Sequence, residues 1–313
     1  MSGKNIWLFG AGKWGEKYIK EYGKLKCKGF VDNSPERQGE LFQEILVYGY
    51  DELKSQFDKE NDIIYITTRA GMDQIILQLA EDGLLSFAKA YTPNTGQGIV
   101  DIRDAWNKVI NSQLGEDVGL EHWFTCNGFL NGYKGFYLDI GAYHPFAYNN
   151  TRWAYELGWR GMNIDPNEQS IKLFNMFRPE DININCGVSD KNEELVYHIF
   201  EGAEGKNSFV EEENLQSVTA TKVIKVRNIN DILEEYHIEK IDFVDIDVEG
   251  FDERIVYSFN WKKYQPKCVL IELLGQNDIE AVLETSIHKK MREEGYALKS
   301  FYTVTALYIK KIY

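Results

Sequence analysis

Residues 135–145 read Gly-Phe-Tyr-Leu-Asp-Ile-Gly-Ala-Tyr-His-Pro, an apolar run that ends in an acid and a glycine turn. This order predicts a buried strand followed by a turn in which the backbone passes close to another group. Later strand-like runs end in the same way, with an acid followed by a turn. The four acids are Asp139, Asp165, Asp247 and Glu272. Because ligands bind outside the carboxyl ends of the strands in an open α/β sheet, we expect these acids to converge on one crevice.

The spacing of the first two acids indicates the kind of ligand. Asp165 follows Asp139 by about 26 residues, the distance at which an α/β nucleotide site places a carboxylate to accept both ribose hydroxyls. Phosphate is not expected, because the turn at Gly141 lacks a complete G-x-G-x-x-G and the sequence has no Walker lysine loop. The pattern therefore predicts an adenosine-containing ligand, and carboxylates around it would favour a positively charged sulfonium.

Strand-like and helix-like segments alternate along the chain in two separate runs, which is typical of α/β folds with parallel strands. The turn-rich stretch 92–98 separates the two runs. We therefore predict an α/β protein with two Rossmann-like domains: a small one at 1–96, a helical connector at 97–134 and a second domain at 135–313. The predicted strands are 5–9, 29–32, 63–67, 87–91, 135–139, 161–165, 182–186, 241–247 and 268–272, with a terminal antiparallel hairpin of 296–301 and 305–309.

Composition narrows the class of partner. The 313 residues carry a formal net charge of −14 and the sequence pI is near 4.9, so nucleic acid and anionic membranes are disfavoured and a small molecule or neutral saccharide is expected. The four cysteines include no C-x-x-C pair, which predicts reduced thiols. Because no signal peptide and no run of about 18 apolar residues is visible, we expect a cytoplasmic protein that acts before any export of its product.

Short motifs follow one another in a fixed order between about residues 107 and 275. They are Ser112-Gln113, Gly115-Glu116-Asp117, the run 135–145, Asn149-Asn150-Thr151, Gly158–Gly161, Ile164–Pro166, Ile241–Gly250 and Pro266–Glu272. Each motif alone is weakly specific, but unrelated α/β domains have no reason to repeat the ordered set. The set resembles the FkbM-type S-adenosylmethionine-dependent methyltransferases.

The resemblance implies a seven-strand class I methyltransferase sheet and methyl transfer from S-adenosylmethionine, usually to a hydroxyl of a sugar, glycan precursor or natural product. It implies that Asp247 and Glu249 face the transferring methyl. The implied cofactor-binding residues are Asp139 and Gly141 at the methionine, Asp165 at the ribose and Val188 and Ser189 at the adenine, completed by Ala142, Tyr143 and Pro166. Asp245 departs from the family, since many members have lysine or another non-acidic residue there.

O-methylation requires a group that helps a weakly acidic hydroxyl to lose its proton. His144 is one candidate, since an unperturbed imidazole titrates close to working pH; its alternative role is to fix the turn before Pro145. A divalent cation such as Mg²⁺, held by Asp247, Glu249 and Glu272, would also orient and acidify the hydroxyl. The residues alone leave both routes open.

The first domain has its own motif, Gly10-Ala-Gly-Lys-Trp-Gly15, with Asp32 about 20 residues further on. This pattern matches a dinucleotide fingerprint, but the domain is predicted to end after about four strands, only one mononucleotide-binding half. We therefore favour a scaffold or a nucleotide-sugar site over NAD. The alternative functions are an NAD(P)-dependent oxidoreductase working through this domain, and a nucleotide-sugar-binding protein whose methyltransferase domain is inactive.

Overall fold

The computed structural model describes residues 3–93, 98–106, 111–129, 132–200, 218–276 and 278–311. The chain divides into two compact units, Met1–Asn107 and Lys108–Tyr313, each built on a seven-stranded sheet. The predicted class, α/β with two Rossmann-like domains, is confirmed. Among the described residues, none of the helices combines the length and the hydropathy needed to cross a lipid bilayer.

The first unit is a mixed sheet with connecting helices. Its strands are β1 (Asn5–Phe9), β2 (Cys27–Val31), β3 (Leu41–Phe42), β4 (Ile45–Tyr48), β5 (Asp62–Ile66), β6 (Ala88–Thr92) and β7 (Gly98–Val100). Its helices are α1 (Lys13–Tyr22), α2 (Tyr50–Gln56) and α3 (Met72–Glu81), with short 3-10 helices at Pro35–Arg37, Leu85–Phe87 and Ile102–Trp106. The strand order is β3-β4-β2-β1-β5-β6-β7, with five parallel strands in the centre and an antiparallel strand at each edge.

The prediction of about four strands in this unit was wrong, because the edge strand β7 and a hairpin were missed. Strands β3 and β4 are joined by Gln43 and Glu44, which have φ values of 53° and 62°. Two-residue hairpin turns need positive φ and are normally signalled by Asn or Gly. Here neither residue type is present in the turn, so the sequence contains no local sign of the hairpin.

The second unit contains the larger sheet and a small separate one. Its strands are β8 (Phe136–Ile140), β9 (Arg160–Asp165), β10 (Ile182–Asn185), β11 (Gly187–Ser189), β12 (Glu193–Phe200), β13 (Val218–Asn228), β14 (Phe243–Ile246), β15 (Cys268–Glu272), β16 (Tyr296–Tyr302) and β17 (Thr305–Lys310). Its helices are α4 (Glu116–Cys126), α5 (Arg152–Glu156), α6 (Glu168–Phe177), α7 (Ile229–Glu235), α8 (Asp252–Ser258), α9 (Trp261–Tyr264), α10 (Ile279–Glu284) and α11 (Ser286–Glu293).

The main sheet of this unit has the order β10-β9-β8-β14-β15-β17-β16, and the small sheet has the order β11-β13-β12. Strands β10, β9, β8, β14 and β15 are parallel, whereas β17 is antiparallel to both of its neighbours. The predicted terminal hairpin is therefore confirmed. The strand order reverses between β8 and β14, and this reversal creates the crevice in which open α/β sheets bind ligands.

One face of the main sheet carries both a hydrophobic cluster and the acids at the strand ends. Tyr137 and Phe243 belong to an aromatic cluster that α4 packs against. Because side chains alternate along a strand, the residues two positions further on, Asp139 and Asp245, lie on the same face. Glu272 stands in the same way two residues after the buried Leu270 of that cluster. The hydrophobic face therefore ends in carboxylates at the carboxyl ends of the strands.

Candidate active site

The acids at the strand ends meet at the switch point of the main sheet. Asp139 of β8 and Asp245 of β14 are paired in the register of the two central strands. Burial raises the pKa of Asp165, Asp245 and Asp247, and Coulomb repulsion from Asp139 raises each of them further. Four carboxylates at the ends of three strands, β8, β9 and β14, thus lie close enough to influence one another.

Asp139 is held by a hydrogen-bonded loop. Its Oδ2 atom accepts hydrogen bonds from the Thr151 hydroxyl at 2.7 Å and from the Asn149 amide at 3.3 Å. Burial raises the pKa of Asp139, while the Thr151 hydroxyl and the nearby Arg178 guanidinium oppose that rise. Asp139 therefore anchors the Asn149–Thr151 segment against the sheet, in addition to the cofactor role that the family resemblance implies.

Arg178, which was not predicted from the sequence, holds this loop in place through hydrogen bonds. It is 1% exposed and donates to the Thr151 hydroxyl at 2.8 Å, to Asn149 Oδ1 at 2.8 Å and to the Pro145 carbonyl at 2.6 Å. A guanidinium offers five donors in a rigid fork, so one side chain can hold three points of the 145–151 loop. No local signal marks it, because an arginine at a helix end is ordinarily a surface residue.

Asp165 connects the end of β9 to the glycine turn. Its Oδ2 atom accepts the Tyr143 backbone N–H at 2.8 Å, and its Oδ1 atom accepts the Asn167 backbone N–H at 2.7 Å. Burial raises the pKa of Asp165 to about 6, although both N–H groups favour the charged form. Since each carboxylate oxygen has two lone pairs, one remains on each oxygen for a diol such as a ribose.

The glycine turn brings two loops of the site into direct contact. Gly141 has a φ of 85°, and the N–H groups of Gly141 and Ala142 donate to the Ile164 carbonyl at 2.9 and 3.2 Å. A Cβ atom at position 141 would overlap the carbonyl oxygen of Asp247. Only glycine therefore allows the β8 turn to approach the segment that follows β14.

Asp247, Glu249 and Glu272 form an acidic trio beyond the ends of β14 and β15. One carboxylate oxygen of each lies within 4.8 Å of the others. Glu249 has a φ of 51°, and Asp252 fixes the loop by accepting the N–H groups of Val248 and Gly250, each at 3.1 Å.

Burial raises the pKa of Asp247 and of Glu272, and repulsion from the neighbouring acids, including Asp252, raises both pKa values further. Glu272 Oε2 has no hydrogen-bond partner in the part of the chain that the structure describes.

His144 uses one ring nitrogen to fix its own turn. Its Nδ1 atom accepts the backbone N–H groups of Phe146 and Ala147, both at 3.0 Å, and the residue is 4% exposed. An imidazole nitrogen that accepts two N–H groups carries no proton, so the neutral ring carries its proton on Nε2. This arrangement favours the alternative in which His144 shapes the turn around Pro145.

The remaining predicted cofactor-binding residues differ in how far they are buried. Pro166 directly follows Asp165 and is partly exposed, whereas Val188 and Ser189 lie in β11 and are 3% and 0% exposed. Val188 packs in the main hydrophobic core, and the Ser189 hydroxyl donates to Asp190 at 2.9 Å. An adenine contact at Val188 and Ser189 stays a prediction.

The fingerprint of the first unit has the expected strand–turn–helix form. Gly10 has a φ of 119°, and a Cβ atom at Gly15 would lie 2.6 Å from the Gly10 carbonyl oxygen. The carboxylate of Asp32 accepts the N–H of Ala11 at 2.9 Å and that of Ser34 at 3.0 Å. Asp32 is therefore part of the internal hydrogen bonding of this turn.

Two solved structures resemble the chain at low similarity. One is described as methyltransferase FkbM from Methylobacillus flagellatus KT, with 16% identity, a TM-score of 0.35, and coverage of 98% of this chain and 90% of that chain. The other is UDP-D-quinovosamine 4-dehydrogenase from Vibrio fischeri, with 17% identity, a TM-score of 0.27, and coverage of 33% of this chain and 98% of that chain. No curated protein sequence matches the chain.

The strand order of the main sheet, with the antiparallel β17 beside β15 and acids at the switch point, defines a Rossmann-like fold of the methyltransferase class. Residues 139–298 match the family model described as the methyltransferase FkbM domain, which covers just over half of the chain. The chain therefore belongs to the FkbM methyltransferase family.

Proposed function

We propose that the protein is an S-adenosylmethionine-dependent O-methyltransferase that acts in the cytoplasm on a hydroxyl of a sugar, a glycan precursor or a related natural product. The observation that carries the proposal is Asp165, a buried carboxylate at the end of β9 that is oriented by two backbone N–H groups. Its free lone pairs are suited to the two hydroxyls of a ribose.

The site residues fit this cofactor by charge and by shape. The acids at the strand ends complement a sulfonium, and glycine at position 141 lets the β8 turn pass close to the backbone of Asp247. The cofactor would be held by Asp165 at the ribose and by the turn from Asp139 to Tyr143 at the methionine. When bound, it supplies a methyl group activated by the positive sulfur.

Asp247 is the group that we assign to the acceptor hydroxyl. Burial and then repulsion from Asp252 and Glu249 raise the pKa of Asp247, so its ionised carboxylate is a stronger base than an ordinary aspartate. A base positioned at the reacting oxygen contributes about 10²–10⁴-fold to the rate. Glu249, in the same loop, is assigned to orienting the hydroxyl.

A divalent cation held by Asp247, Glu249 and Glu272 is the second route. The three carboxylates present hard oxygen ligands, and the free Oε2 of Glu272 is an available ligand atom. Titration of Mn²⁺ into the protein by calorimetry tests this route. Binding that is lost in Glu272→Gln and retained in the exposed control Asp231→Asn supports the cation, whereas equal weak binding in all three proteins argues against it.

Calorimetry with S-adenosylhomocysteine tests the cofactor assignment. We expect Asp165→Ala to weaken binding about 10–100-fold, because hydrogen bonds to a charged group contribute roughly 1.5–3 kcal/mol. Asp165→Asn, which keeps one oxygen acceptor, should bind with intermediate affinity, and Asp231→Asn should bind as the wild type does. Unchanged affinity in both Asp165 variants would remove the ribose assignment.

For the first unit we propose a scaffold or a nucleotide-sugar site. Helix α1 begins after Gly12 without a side-chain cap, so its first N–H groups are oriented toward the glycine turn. Titrations with a UDP-sugar and with NADH, followed by fluorescence, distinguish the possibilities. Binding of the UDP-sugar alone supports the proposal, binding of NADH supports the oxidoreductase alternative, and binding of neither indicates a scaffold.

A further inference from the structure

Asp245 is a buried carboxylate at the switch point whose hydrogen-bonding capacity is only partly used. The residue is 5% exposed, and its Oδ1 atom has no hydrogen-bond partner among the described residues. The Oδ1 atom of Asn150 is also buried and, within the same described ranges, unpartnered. Burial raises the pKa of Asp245 and the Asn150 side chain opposes that rise, so the two unsatisfied oxygens belong to neighbouring groups.

Both unsatisfied atoms are oxygens, and once Asp245 is ionised each of them lacks a donor. Burying an acceptor without a donor is unfavourable, and the penalty is larger for a charged group. The charged groups that act most strongly on Asp245 are the acids Asp139, Asp247 and Glu116. A positively charged donor would therefore satisfy both the hydrogen bonding and the electrostatics of this position.

We propose that Asp245 and Asn150 form a subsite for a primary ammonium group, an inference that rests on the proposed function. An ammonium group brings three N–H donors and one positive charge, and its hydrogen bonds to a carboxylate are strong. A hard divalent cation fits this position less well, because it takes about six oxygen ligands in a defined geometry. An amide oxygen beside a single carboxylate is instead suited to N–H donors.

Two molecules bring such a group to the crevice. S-adenosylmethionine carries an α-ammonium at its amino-acid end, and an amino sugar carries one as a ring substituent. Asp245 is paired with Asp139 on β8 and lies two residues before Asp247, so either ammonium would be held beside the reacting centre. Both molecules present the same primary ammonium group, and the two measurements below distinguish them.

The first measurement compares S-adenosylhomocysteine with its deaminated analogue, in which hydrogen replaces the α-amino group, on wild type and Asp245→Asn by calorimetry. If the cofactor supplies the ammonium, wild type binds S-adenosylhomocysteine about 10–100-fold more tightly than the analogue. Asp245→Asn should then bind the two almost equally, because the charged partner is gone. The exposed variant Asp231→Asn should retain the full wild-type preference.

The second measurement uses protein saturated with S-adenosylhomocysteine and compares methyl glucosaminide with methyl glucoside. If the acceptor supplies the ammonium, wild type prefers the glucosaminide and Asp245→Asn loses that preference. The inference is overturned if wild type binds S-adenosylhomocysteine but Asp245→Asn has the same affinities as wild type for S-adenosylhomocysteine, its deaminated analogue and the two methyl glycosides. Failure of wild type to bind S-adenosylhomocysteine at all would instead overturn the proposed function, and this inference with it.

Discussion

Gly141 and Asp247 lie so close that a Cβ atom on the glycine would overlap the carbonyl oxygen of the aspartate. The two residues follow adjacent strands, β8 and β14, on the two sides of the switch point. The turn implied to hold the cofactor and the loop assigned to the reacting hydroxyl therefore touch through their backbones. The geometry of one cannot change without moving the other.

Replacing Gly141 by alanine should disrupt both loops. The new methyl group meets a backbone oxygen, and a non-glycine residue at positive φ is strained by about 1–3 kcal/mol even without a clash. We expect a lower melting temperature and weaker binding of S-adenosylhomocysteine. Gly128→Ala is the matched control, since Gly128 has a φ of 78° and no atom within 4 Å of the added Cβ. Equal effects of the two substitutions would show that the contact with Asp247 is unimportant.

Asp247→Asn should lose activity while gaining stability. Removing the base lowers the methyl-transfer rate about 10²–10⁴-fold. Because burial, together with repulsion from Asp252 and Glu249, disfavours the charged form of Asp247, a neutral side chain should raise the melting temperature. Formation of S-adenosylhomocysteine and thermal unfolding are the two measurements. Near-wild-type turnover in this variant would contradict the assignment.

Two substitutions at His144 separate a turn-fixing role from a base. Asparagine retains an acceptor close to the position of Nδ1, so His144→Asn should keep most of the stability and turnover. His144→Ala leaves the Phe146 and Ala147 N–H groups without their acceptor, and each unsatisfied buried group costs about 1–3 kcal/mol. A catalytic imidazole predicts instead that His144→Asn is stable and inactive. The exposed residue His237, changed to asparagine, serves as the control.

Arg178→Met should strongly destabilise the second unit. The substitution removes four buried hydrogen bonds and the positive charge that acts on Asp139 and Asp181. Breaking a buried charge arrangement by removing one partner costs about 3–5 kcal/mol. Arg160→Met, at a half-exposed arginine of the same unit, should cost much less in urea unfolding. Similar losses at the two positions would argue against an organising role for Arg178.

The raised pKa of Asp165 has a consequence for stability. In the fold this carboxyl has a pKa of about 6, against an ordinary value of 3.8, so the folded protein retains the proton more strongly than the unfolded chain does. The resulting stabilisation is complete below about pH 4 and is lost as the pH rises through about 6.

Relative to the non-titrating variant Asp165→Asn, the free energy of unfolding of wild type should therefore fall by about 1–3 kcal/mol over that interval. Calorimetric unfolding of both proteins in a series of buffers measures the difference in their free energies of unfolding. The contribution of the first unit cancels in this difference, because that unit is the same in both proteins. If the stability of wild type relative to Asp165→Asn stays constant or increases with pH, the raised pKa of Asp165 is contradicted.

The strands that lead to the site could be predicted because their signals are local. The runs ending at Asp139, Asp165 and Glu272 are apolar, short and bounded by turns, and they form β8, β9 and β15 within a residue of the expected bounds. The β3–β4 hairpin could not be predicted, because its turn has no glycine or asparagine. The small β11-β13-β12 sheet was also missed, since its strands pair with segments distant in the chain.

The sequence by itself determined the α/β class, the family and the set of acids at the strand ends, because these depend on residue type and on spacing along the chain. The tertiary structure alone decided how those residues are used: the proton position on His144, the support of Asp139 by Arg178, and the unsatisfied oxygen of Asp245. Each of these depends on which groups from other segments surround a side chain. Hydrogen bonds and burial between distant residues are consequences of folding that spacing along the chain does not encode.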